Sequence, residues 1–108
     1  MNARVGSLIG IARRAGKIAA GQAQVEAMLK KKKGFLLIMA EDAAGAQSKY
    51  SRWAGDLLLP VLITGTKEEL GKALGLSPRS ILLILDQGFA KAVLITHGKE
   101  MMSGEQKA

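Results

Sequence analysis

Apolar positions along the chain follow helical spacing in some stretches and form short continuous runs in others. Val5, Leu8, Ile9 and Ala12 recur at the spacing of one helix face, and Gly16 is placed to end that helix. Lys17 to Ala20 reads as a short extended link. From Gly21 the apolar residues Val25, Met28 and Leu29 return to helical spacing, and Gly34 stands where a left-handed residue closes a helix. The pattern then changes. "FLLIMA" at 35–40, "VLIT" at 61–64 and "SILLIL" at 80–85 are short, continuously apolar runs, as expected of strands buried on both faces. Between the first two, "SKYSRWAGDLL" predicts a helix with Ser48 as its N-cap and Tyr50, Trp53 and Leu57 on one side. Between the last two, "TKEELGKALG" puts Thr66 and Glu69 in capping-box register, with Gly75 following Leu70 and Leu74. "DQGFAKAVLITHG" adds a last short helix or strand, and "KEMMSGEQKA" reads as a frayed tail. Helices alternating with buried strands predict an α/β sandwich. One domain is expected over 1–98 and a flexible tail over 99–108, with no repeat and no linker.

Charge adds a direction to this scaffold. The net charge is +7, and residues 1–33 carry eight basic side chains against Glu26 alone, while the rest of the chain is balanced. A one-sided basic region is the footprint expected for a polyanionic partner. With no cysteine and one histidine, His97, neither thiolate chemistry nor a histidine metal cluster is available. No cofactor or metal is expected. No apolar run reaches the roughly 20 residues of a membrane span, and the first 16 residues lack the build of an export signal. A cytoplasmic location is the expectation.

Catalysis finds no support in the residues. Glu41 and Asp42 follow a strand, but adjacent carboxylates on extended chain point to opposite faces, which suits loop ordering or helix capping better than acid/base work. No nucleophile motif surrounds Asp86, His97 or the serines, and no glycine-rich phosphate loop occurs. The run Lys30 to Lys33 has a plain structural reading, because lysines in a last helical turn complement the macrodipole. Its position suggests more. Gln24, Ala27 and Lys31 form a stripe beside the apolar one, leading from the helix start at Gly21 to the lysines. Free N–H groups and the positive end of the dipole attract phosphate there. Gln22 and Gln24 offer amides for base edges. Aromatic residues make up only 4% of the chain, so a stacking platform for single strands is not expected, and Tyr50 and Trp53 read as packing residues. Structured RNA, gripped through backbone and shape, is the better match.

"GQAQVEAMLKKKKGFLLIMAEDA", followed by "LPVLITGTKEELGKALG" and "LDQGFAK", resembles the kink-turn RNA-binding ribosomal proteins of the archaeal seven-Ae and eukaryotic thirty-e type, and most of all their small bacterial members. The resemblance covers roughly residues 6 to 92. It implies a three-layer α/β/α sandwich with a mixed four-stranded sheet. It also implies that the helix beginning at Gly21 enters an RNA groove while the loop "ITGTK", 63–67, closes over a protruding nucleotide. Kink-turn binders of this type carry glycine, threonine, asparagine and glutamate, then a lysine three residues on. This chain has Gly21, Gln22, Ala23, Gln24 and Ala27 there, so the side chains that contact the sheared G·A pairs are missing, while Lys31 falls where the family has arginine.

The sequence therefore predicts a non-enzymatic RNA-binding protein, ribosomal or ribosome-associated. The expected contacts are Gly21, Gln22, Gln24 and Lys31, backed by Arg13, Arg14, Lys17, Lys30 and Lys32, with Thr64, Gly65, Thr66 and Lys67 as a second wall. Two other readings use the same residues: a protein adaptor applying its basic face to an acidic protein, and a stand-alone recognition domain of an RNA-modifying system.

Overall fold

The structure of the protein, a computed structural model, describes the backbone of residues 1–107 and the side chains of residues 1–99. The elements run α1 (Ala3–Arg14), β1 (Ile18–Ala20), α2 (Gln22–Lys30), β2 (Leu36–Met39), α3 (Ala44–Asp56), β3 (Val61–Ile63), α4 (Lys67–Leu74), β4 (Ile81–Ile84) and α5 (Gln87–Lys107). The stretch after Asp86 is thus a helix rather than a strand. The tail expected over 99–108 lies, Lys99 apart, outside the residues whose side chains are described.

The sheet order is β1-β4-β2-β3, with β4 antiparallel to both of its neighbours and β2 parallel to β3. Every residue of β2 and β4 is buried, which requires a layer of helices on each face. α1 packs against α4 and α5, while α2 and α3 are joined to each other through Glu26 and Tyr50. This is the expected α/β/α sandwich with a mixed four-stranded sheet.

Four local expectations need correction. The link 17–20 contains an edge strand, β1, because Ile18 to Ala20 pair with Leu82 to Ile84. β3 is the opposite edge and buries only Leu62, leaving Val61 and Ile63 exposed, so "VLIT" is apolar on both faces but covered on one. α3 begins well before Ser48, which lies inside it. Ala44 and Ala46 favour helix ahead of Ser48, and the Gln47 amide donates to the Ala40 carbonyl at 2.8 Å, fixing the entry turn. Finally, Lys32 rather than Gly34 closes α2. Its φ is +56°, and the N–H groups of Lys32 and Lys33 donate to the carbonyls of Leu29 and Met28 at 2.9 and 3.0 Å, the Schellman pair.

α4 carries both of its expected boundary signals. Thr66 and Glu69 form a reciprocal capping box, and Gly75 closes the helix at φ +72°. Asp42 adds to that helix start by accepting from the Lys67 N–H at 2.9 Å, which makes it a capping group. Inside α4, Gly71 permits a close approach: a Cβ there would lie 2.8 Å from Pro78 Cα and nearer still to the Ser77 carbonyl. Both obstacles are backbone and cannot rotate away. Gly71→Ala is expected to lower stability by about 1–3 kcal/mol through overpacking, read as a lower urea midpoint at unchanged slope. An unchanged midpoint would mean that the 76–80 loop can retreat freely.

Candidate nucleic-acid interface

α2 starts at a residue whose backbone conformation excludes other side chains. Gly21 has φ +87° and ψ +164°, a region open almost only to glycine. Its N–H is not free, since it donates to the Ile81 carbonyl at 3.1 Å and ties the helix start to β4. The next three N–H groups, of Gln22, Ala23 and Gln24, find no acceptor among the described residues and point out along the helix axis. Arg79 lies over this end, its Nε 3.7 Å from where a Gly21 Cβ would be. Its guanidinium donates to Ser77 Oγ at 2.6 Å and to the Ser77 and Pro78 carbonyls, so it is held in place beside the N–H groups.

From there a shallow groove of about 710 Å³ follows the outer side of α2, lined by Gln22, Ala23, Glu26, Ala27, Lys30 and Lys31. Ala23 and Ala27 are exposed within it. Glu26 is the one carboxylate in that lining, and it is engaged: Tyr50 Oη donates to it at 2.6 Å and Lys49 Nζ at 3.2 Å. The Tyr50 hydroxyl, then Lys49, hold the Glu26 carboxyl below its usual range. Burial and the same hydrogen bond push the Tyr50 hydroxyl well above the ordinary tyrosine range. Tyr50 also stacks on Trp53, with centroids 6.3 Å apart, so both aromatics are packing residues as expected.

A sequence profile describing the ribosomal protein L7Ae/L30e/S12e/Gadd45 family matches residues 3–94. The chain belongs to this family. Among solved structures, a Bacillus halodurans protein of unknown function is similar to this chain at 28% identity. The pairing covers 87% of this chain and 96% of that one, with a TM-score of 0.81. A 15.5 kD RNA-binding protein of Giardia lamblia shares the fold at 20% identity, covering 89% of each chain with a TM-score of 0.74. No curated protein matches the sequence.

This family member places Arg13, Arg14, Lys17 and Lys31 to Lys33 at one end of the sheet without gathering them on one face. The Leu85 N–H donates to the Lys17 carbonyl and the Phe35 N–H to that of Ile84, so Lys17 and the turn Lys31 to Lys33 flank the far end of β4. Arg13 and Arg14 close α1 at this end, but in the other helical layer. Arg14 lines a cleft between α1 and α4 with Lys72, remote from the α2 groove. Gln22, Lys30 and Lys31 do line that groove. Gln24 is partly committed, because its side-chain oxygen accepts from the Ala20 N–H at 3.1 Å.

The 64–67 segment does not present the expected wall. Thr64 and Gly65 are buried, and the Thr66 hydroxyl is spent on the capping box. Only Lys67 is exposed, and its carbonyl accepts from the Arg79 N–H at 3.0 Å. The element beside Gly21 is instead the loop 77–80, with Arg79 its charged residue. Sequence reasoning passed over it, although "SPRS" between an α4 stop and a buried strand holds an arginine framed by turn residues.

Proposed function

We propose that the protein binds structured RNA through α2, as a non-enzymatic cytoplasmic component of ribosomes or of ribosome-associated particles. The observation that carries this reading is the sequence of features along one helix. Three N–H groups with no acceptor among the described residues lie under Arg79 and lead into an open groove that ends in lysines. The N–H groups and the guanidinium suit a phosphate, the groove suits a helical edge, and Lys30 and Lys31 suit the backbone beyond it. Gly21, Gln22, Gln24, Lys30, Lys31 and Lys32 belong to this face, with Arg79 added and Lys67 at its margin. Arg13, Arg14 and Lys17 supply long-range attraction more than contact. Family membership supports the reading, as does the shared fold with an RNA-binding protein.

The test is a salt titration of binding to a folded RNA. About three to five phosphates neutralised correspond to a slope of log K against log salt of roughly −2 to −4.5. Arg79→Ala should flatten that slope by about one and weaken binding about tenfold. A flat plot, or equal affinity for an acidic peptide, would refute the proposal.

A further inference from the structure

A second surface, apart from the α2 groove, is apolar and unpartnered. Seven large hydrophobic side chains are exposed among the described residues, and Phe35, Leu58, Leu94 and Ile95 converge on one cleft of about 430 Å³. It runs between the turn after α3, where Leu59 and Pro60 form its wall, and the outer side of α5. The α5 residues lining it are Gln87, Ala90, Lys91, Leu94 and Ile95. Their spacing of i, i+3, i+4, i+7 and i+8 is the stripe by which a helix packs against another helix.

Leu58 makes this surface more than incidental. It is 91% exposed and sits at φ +55°, in the left-handed position of the Schellman turn ending α3. Glycine would relieve both the backbone strain and the exposure of an isobutyl group to water. A leucine that the fold does not require, at the rim of an apolar cleft, is explained by what it can touch.

Charge selects the occupant. Lys91 lies within the stripe and is the one charged residue among those that line the cleft. Asp86 is nearby but engaged, accepting from the Phe89 N–H at 2.9 Å to start α5, and Asp56 precedes the lining. A second copy would bring a net charge of +7 against the same charge. We propose that this cleft docks an amphipathic helix of an acidic protein partner, its apolar side on Leu58, Leu94 and Ile95 and a carboxylate beside Lys91. The site lies at the sheet end away from Gly21 and Arg79, so the partner and an anion at the start of α2 can be held together.

The test uses two 14-residue helical peptides with leucines at i, i+3, i+4 and i+7, one filled with glutamate and the other with lysine. Fluorescence anisotropy should show saturable binding of the glutamate peptide and at least tenfold weaker binding of the lysine one. Leu58→Gly should weaken the glutamate peptide about tenfold while leaving the thermal midpoint unchanged or raised, because it removes strain. Lys91→Glu should reverse the preference between the peptides. Absence of saturable glutamate-peptide binding, indifference to Leu58→Gly, or equal affinity for both peptides would overturn the proposal. So would a micromolar homodimer that Leu58→Gly dissolves, which would make a second copy the occupant.

Discussion

Replacing Lys30 and Lys31 together by glutamate is expected to weaken binding to structured RNA by more than a hundredfold. Both side chains are exposed and line the groove along α2, and neither makes an ion pair among the described residues. Each exposed cation near a phosphate contributes about 1 kcal/mol, and reversing its sign adds a repulsion of similar size. Two reversals thus sum to about 3–4 kcal/mol, or between two and three orders of magnitude in affinity. The fold should survive. The helix terminus would lose favourable charge at about 0.3–1 kcal/mol per site, which circular dichroism and a urea midpoint would register separately from binding. Lys91→Glu with Lys99→Glu, on α5, is the matched control and should cost less than fivefold. Equal losses from both pairs would show that the interface is not on α2.

Adding the polar groups that α2 lacks should produce the largest gain. Ala23 and Ala27 line the groove and are exposed, so longer side chains fit there. Where the family's kink-turn binders use asparagine and lysine against sheared G·A pairs, these alanines offer no side-chain hydrogen bond. Each contact restored to a buried polar partner is worth about 1–3 kcal/mol, so Ala23→Asn with Ala27→Lys should raise kink-turn affinity about 30-fold or more. Gln24→Glu in the same background retains an acceptor for the Ala20 N–H, so the helix start should stay intact. The gain should disappear when the G·A pairs are replaced by Watson–Crick pairs. A G·A-independent gain would trace the effect to the added lysine charge, and no gain would show that α2 does not face those pairs.

The elements with a periodic or capped signature were legible in the sequence. α1, α2 and α4 follow from apolar spacing, the Thr66 and Glu69 box is visible as letters, and the three apolar runs are strands. What escaped depended on neighbours distant in sequence. β1 is only three residues long and exists because β4 pairs with it. β3 carries the same apolar letters as a central strand, and only the strand order makes it an edge. The candidate site divides in the same way. Gly21 and the α2 groove could be read from one helix, since its charges and glycine lie in order along the chain. Arg79 could not, because the contact that brings it over Gly21 is set by Gly71 admitting the 77–78 backbone against α4. Thr64 to Thr66 misled for a related reason: polar letters in a loop look available, whereas here they are consumed by burial and by the cap.

The hydrogen bond from the Gly21 N–H to the Ile81 carbonyl gives synthesis of this chain a direction. α2 emerges with its lysines well before β4, to which the clamp on its start belongs. Until β4 has left the exit tunnel, β1 has no partner, and nothing holds Gly21 in one of the many conformations open to a glycine. The nascent chain is therefore cationic long before it has a shaped surface. A growing polypeptide in that state can attract RNA but has no assembled site with which to select one, so discrimination begins only once β4 has emerged.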